Sequence, residues 1–193
     1  MNLVETIKRK LEGDAVEPLA NLADITPEIT LKSLDAIVPS LWSAVAHTAS
    51  QESGDSRVAS MVEQADAEIG TNYGARLREQ GESIRETGST LLPLVLGPAM
   101  WAGLRAALAR FTKLDDVAVE RLSGALLPLM LGELKLKKQA NSLDARGLAS
   151  LLAHQHAAVN AALPDGLEAE LATVPGIGSG VEAALLEASP GGS

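Results

Sequence analysis

Cysteine is absent from the 193-residue chain. That excludes disulfides, thiolate nucleophiles and zinc–thiolate sites. Aromatic residues are scarce, at 2%: Trp42, Trp101, Tyr73 and Phe111. Proteins that hold single-stranded nucleic acid stack bases on exposed rings, so this poverty counts against such a surface. Basic residues are outnumbered, 16 Lys and Arg against 25 Asp and Glu, for a net charge of −9. A balance of that sign repels phosphate backbones and anionic lipid unless a basic face is segregated. The cations are scattered instead, with small clusters at Lys8, Arg9, Lys10 and at Lys135, Lys137, Lys138 that read as solvated helix ends. Long apolar runs are missing too. The longest, Leu91–Leu104, has 14 residues, is interrupted by Pro93 and Pro98, and is followed by Arg105. A membrane span needs about 20. Residues 1–12 are charged throughout, with no apolar signal core. The expectation is a cytoplasmic protein without a membrane span, cofactor or metal.

Hydrophobic residues make up 46% of the chain, enough to bury a core, and Leu and Ala dominate. These are strong helix formers without the branched or aromatic shapes that sheets favour. The composition predicts an all-α, multi-helix bundle, and the spacing agrees. Leu3, Val4, Ile7 and Leu11 form one stripe. Leu34, Ile37, Val38, Leu41, Trp42 and Val45 form another. Thr26-Pro27-Glu28 is a helix start: a capping hydroxyl, proline at the first helical position, then an acid at the positive end. Asp14 and Glu17 stand in capping-box spacing for a short helix over 14–23. Residues 47–57 read as a polar loop. Residues 70–88, with glycine at 70, 74, 81 and 88 and charges of both signs, read as a mobile polar connection with room for one exposed helical piece. On this reading a unit at 1–69 is joined to a unit at 89–188, followed by a flexible tail at 189–193. A helix starting at Ser89 or Thr90 breaks at Gly97-Pro98. Asp115 or Asp116 caps a long helix to about Gln139, Asp144 caps another that ends before Pro164, and a last helix lies near 181–188.

The heptapeptide LLPLVLG at 91–97 recurs as LLPLMLG at 126–132. Residues 26–41 also align with 115–130, each with a capping residue thirteen places ahead of a proline: Thr26 and Pro39, Asp115 and Pro128. Two pseudo-repeated units are one organisation this allows. Proline in a helix interior removes a hydrogen bond and clashes one turn back, costing about 3 kcal/mol. Neighbouring apolar side chains each return roughly 1.5–3 kcal/mol when buried. Pro39, Pro93 and Pro128 are therefore expected to be kinks in deeply packed central helices.

The segments LADITPEITLKSLDAIVPSLWSAV, FTKLDDVAVERLSGALLPLMLGEL and SLDARGLASLLAHQHAAVNAALPDGL resemble the larger members of the YidB-like family of bacterial domains of unknown function. The resemblance covers 1–65 and 90–175, and the chain departs from those relatives over 55–88. It implies an all-α fold of several short helices and no activity.

Candidate chemistry is thin. His154 and His156 are two residues apart, about 200° around a regular helix, and cannot chelate one ion together. His47 stands alone. No Glu-x-x-His or His-Glu-x-x-His spacing, phosphate loop or nucleophile elbow is present. One local motif has a mechanism. LATVPGIGSGVEAALL resembles a helix-hairpin-helix element, with Gly176, Ile177 and Gly178 as a turn whose N–H groups could face a phosphate. Acidic residues flank it, and no Lys or Arg follows Arg146, so nucleic acid is a weak expectation. The sequence points instead to a non-catalytic protein that binds itself or another protein, through the Leu-rich helices at 91–109 and 117–136. The alternative is nucleic-acid binding through 171–186. A third reading is a small-ligand pocket between the proline-bearing helices.

Overall fold

The computed structural model describes residues 2–177. Gly178, the expected helix near 181–188 and the expected tail lie outside the described residues. Among those described there are ten helices and no strand, so the protein is an all-α multi-helix bundle. Side-chain caps start four of the helices. Asn2 accepts the Glu5 N–H at 2.8 Å to open α1 (Leu3–Leu11). After α2 (Val16–Ala23), Thr26 accepts the Ile29 N–H at 3.3 Å to open α3 (Pro27–Ser50). Next come α4 (Gly54–Gln64), α5 (Tyr73–Leu96) and α6 (Pro98–Thr112). Asp115 caps α7 (Asp116–Ala140) through the Ala118 N–H at 2.7 Å. Asp144 caps α8 (Ala145–His154) through Gly147 N–H at 2.7 Å. Two short helices, α9 (His156–Ala162) and α10 (Leu167–Leu171), complete the described chain.

Several expected boundaries move. Asp14 does not cap α2; it receives Arg78 instead, whose guanidinium donates to the Asp14 backbone carbonyl at 3.0 Å. The loop expected at 47–57 shrinks to the turn between Ser50 and Gly54, because α3 keeps its helical register that far. The helix after Asp144 is divided at Gln155, and the Gln155 side chain leaves that helix's line to accept the Leu3 N–H at 2.9 Å. It thereby caps the start of α1 from across the fold.

The largest difference is at 70–88. This stretch is not a connection but the greater part of α5, which packs more extensively against α7 than against any other element. Its glycines at 74, 81 and 88 recur every seven residues, a spacing that keeps them near one face of a helix. There they let other chain segments come close. A Cβ on Gly74 would lie 2.4 Å from the Asp14 carboxyl, and one on Gly81 3.2 Å from Leu22. At Gly88 it would lie 1.6 Å from the Gly124 carbonyl oxygen. Glycine here serves close approach, at some cost in helix propensity. The break in the helical dihedrals of α5 falls at Gln80 (φ −134°, ψ 18°), not at Pro93.

α7 is enclosed. Every residue from Leu122 to Leu134 is buried, along with Ala118 and Val119. A helix that is apolar all round is one surrounded by protein, and α1 to α6 all pack against it or against one another around it. The buried apolar side chains of the described residues form one cluster running from Leu3 to Ile177.

The basic clusters fall at the C-terminal ends of α1 and α7, as expected, and several members also bond other elements there. Lys8 pairs with Asp35 at 2.7 Å and Lys10 with Glu133 at 2.9 Å. Lys135 donates to the carbonyls of Glu63 and Ala65 at 2.7 and 2.8 Å, satisfying the C-terminal end of α4. Lys138 bonds the Glu63 carboxylate and holds it below the usual carboxylate range.

Candidate functional site

The three expected proline positions all fall within helices. Pro39 and Pro128 are buried, and Pro93 is half-buried. Pro128 has the clearest local consequence. Lacking an N–H, it leaves the Gly124 carbonyl one turn back without its regular helical donor. That carbonyl is the atom that Gly88 of α5 comes down upon. On the next residue, the Ala125 carbonyl accepts the buried Tyr73 hydroxyl at 2.6 Å, and burial raises the phenol's pKa well above its ordinary value. Thus α5 meets α7 twice, on adjacent carbonyls: with a hydrogen bond from its first turn and with a bare glycine beyond Gln80.

Beside this crossing, α4, α5 and α7 leave a cleft of about 220 Å³. Ile69, Ile84, Pro128 and Leu131 are its buried floor, and Met61 and Leu91 its half-buried walls. Gln64, Asp66, Ser83 and Thr87 form an exposed polar rim.

A second surface lies where α5 gives way to α6. Gly97 takes φ +90°, a conformation costly for any residue with a Cβ, and Pro98 restarts the helix. The two axes turn by 116°. Among the described residues no single helix is long and apolar enough to cross a membrane. Leu94 is 54% exposed at this elbow, and Pro98, Ala99 and Ala102 are exposed beside it in sequence. No charged residue occurs from Thr87 to Leu104. The first one after it, Arg105, is directed onto α7, 3.2 Å from Glu120 and 3.8 Å from Asp116.

Other expected positions are placed as follows. His154 and His156 are exposed, on different helices, and each bonds within its own helix, to Ser150 and Asn160. Among the described residues no three His, Asp or Glu side chains are grouped to hold a metal. Gly176 and Ile177 sit on the body of the protein. Gly176 (φ +94°) faces Met100 and the His47 ring: a Cβ there would lie 2.9 Å from the methionine methyl and 3.3 Å from Nε2. Ile177 is buried. Gly178 lies outside the described residues.

His47 gives a prediction with a defined pH window. Burial lowers its pKa below 6.5, so the folded state favours the neutral ring. The unfolded chain binds the proton more readily. The resulting stability is fully present above pH 6.5 and is lost as pH falls through the folded value. Thermal melts between about pH 7.5 and 5.5 should show the midpoint falling on acidification, and His47→Gln should flatten that fall. Glu63 acts in a separate window, with its contribution present above pH 4.5 and lost below.

The fold and these surfaces define a multi-helix domain built on proline-bearing helices. The chain belongs to DUF937, a family of bacterial proteins of unknown function, whose model matches residues 5–103. This agrees with the YidB-like resemblance. The matched range includes 55–88, where a departure from the larger relatives was expected, and it ends before α7. No curated protein and no solved structure matches the chain.

Proposed function

We propose that this protein acts without catalysis, through protein–protein contact, and that its partner is a second copy of itself joined at the α5–α6 elbow. The observation that carries the reading is the exposed, uncharged corner at Leu94, Pro98, Ala99 and Ala102 on a chain of net charge −9. Two such copies repel wherever carboxylates are brought within a Debye length, about 8 Å at physiological ionic strength. Contact across an uncharged corner brings fewest of them together. Leu94 would anchor it, and the alanines of α6 let a second helix approach closely. Of the two Leu-rich stretches, α7 is enclosed through its middle and its exposed Val117 and Leu136 stand beside Asp116, Lys135 and Lys137, which leaves 91–109 as the associating one.

Light scattering on the eluting protein tests this. At about 100 μM the wild type should return a mass above the 20.0 kDa of one chain. Leu94→Glu should return the single-chain mass with an unchanged helical spectrum. A wild type that stays at single-chain mass, or a Leu94→Glu variant that associates equally well, would overturn the proposal.

A further inference from the structure

The cleft over Pro128 is not used by the elbow contact, and its chemistry is specific enough to name an occupant. We propose that it binds a small uncharged amphipathic molecule, of the size of a fused bicycle with one hydroxyl. The floor is apolar and already dehydrated, and Pro128 contributes to it without an N–H, so an apolar body placed there leaves no donor of that residue unpaired. Volume sets the size. A 150 Å³ apolar cavity is enough to hold benzene. About 220 Å³ admits one further ring and stays below the 300–1,000 Å³ of sites for drug-sized ligands. Met61 on the wall is unbranched and adapts to an irregular outline.

The rim sets the head group. Ser83 and Thr87 are exposed, line the cleft, and stand four residues apart on α5, so their hydroxyls lie on one side of that helix. Gln64 donates one amide hydrogen to the Ser60 carbonyl at 3.3 Å, which leaves its oxygen to accept and its second amide hydrogen to donate. Charge decides between heads. An anion would join a protein of net charge −9 and meet no cationic side chain among the residues that line the cleft. A cation gains little, because Asp66 already binds the Arg76 guanidinium at 2.8 Å and the Glu68 N–H at 2.9 Å. A neutral hydroxyl costs nothing on either count.

The test is a titration of the full chain with 2-naphthol and, separately, with 2-naphthoate, followed by methyl NMR. The proposal expects saturable shifts centred on Ile84, Leu131 and Met61, with Kd about 1 mM or tighter for 2-naphthol. Binding of 2-naphthoate should be at least about tenfold weaker. Ala65→Leu, which fills the cleft from its α4 side, should weaken 2-naphthol by a similar factor. Ser83→Leu, at an exposed position, provides the same test should the first variant not fold. Absence of saturable shifts at those methyls, equal binding of the carboxylate, or equal binding by a folded filled variant would overturn it.

Discussion

Gly88→Ala is expected to destabilise the protein by about 3 kcal/mol, at the upper end of what overpacking costs. The added methyl would sit 1.6 Å from the Gly124 carbonyl oxygen. That atom is backbone, inside a fully buried stretch of α7, so no side-chain rotation can move it aside. The helices must separate, and separation strips contact from Leu92 and Val95 on the same face of α5, both fully buried. Gly81→Ala is the informative partner experiment. Its methyl would lie 3.2 Å from a Leu22 methyl, the mobile end of a half-buried side chain. Alanine's helix propensity advantage over glycine is about 1 kcal/mol, so Gly81→Ala should be neutral or mildly stabilising. Urea unfolding of the two variants measures the contrast. Equal stabilities would mean that the α5–α7 crossing is not the close contact described.

The second large effect is at Lys10. Its side chain is 27% exposed, and its ammonium lies 2.9 Å from Glu133, whose side chain is 6% exposed. Gly70 roofs the pair: a Cβ there would fall 2.6 Å from Nζ and 3.1 Å from the carboxylate. Lys10→Met leaves a carboxylate buried on α7 without a counter-charge, and a loss of about 3 kcal/mol is expected. Glu133→Gln should cost less, because the Lys10 stem can swing its charge toward water. The double variant Lys10→Met/Glu133→Met should recover most of the loss, since no charge is left buried. Denaturant melts of the three variants check the ordering. A Lys10→Met protein within about 0.5 kcal/mol of wild type would show that the pair behaves as a surface ion pair.

Three helix starts were legible, because a cap is written in consecutive residues, whereas Asp14 does not cap α2 and the start expected at Ser89 or Thr90 falls inside α5. Thr26, Asp115 and Asp144 each cap the helix expected of them. The Gly97-Pro98 break and the uncharged stretch around it, which make up the elbow, were also readable in advance. Glycine misled at 70–88. In sequence it signals a turn, whereas in α5 its spacing of seven marks a face against which other chain segments press. The period, rather than the residue type, was the usable signal. The role of α7 was only half legible. Its apolar residues were plain, but periodicity cannot say whether a face is covered by the same chain or by a partner, and here the same chain covers it. The basic clusters were legible as helix ends, but not their partners: the acids and carbonyls they meet, such as Glu133 for Lys10, lie far away in sequence. The cleft was not locatable, since its floor and rim come from α4, α5, α7 and the α4–α5 connection together.

Native-state hydrogen exchange addresses the central point most directly: that α7, clasped by α5 on the carbonyls ahead of Pro128, is the buried heart of the molecule. The amides of Leu122–Leu134 (except Pro128, which has none) should exchange only through global unfolding. Their protection should fall by the full destabilisation measured for Gly88→Ala, while α9 and α10 exchange through local opening that the variant leaves unchanged. Exchange of the α7 amides as fast as those of α9, or α7 protection untouched by Gly88→Ala, would contradict it.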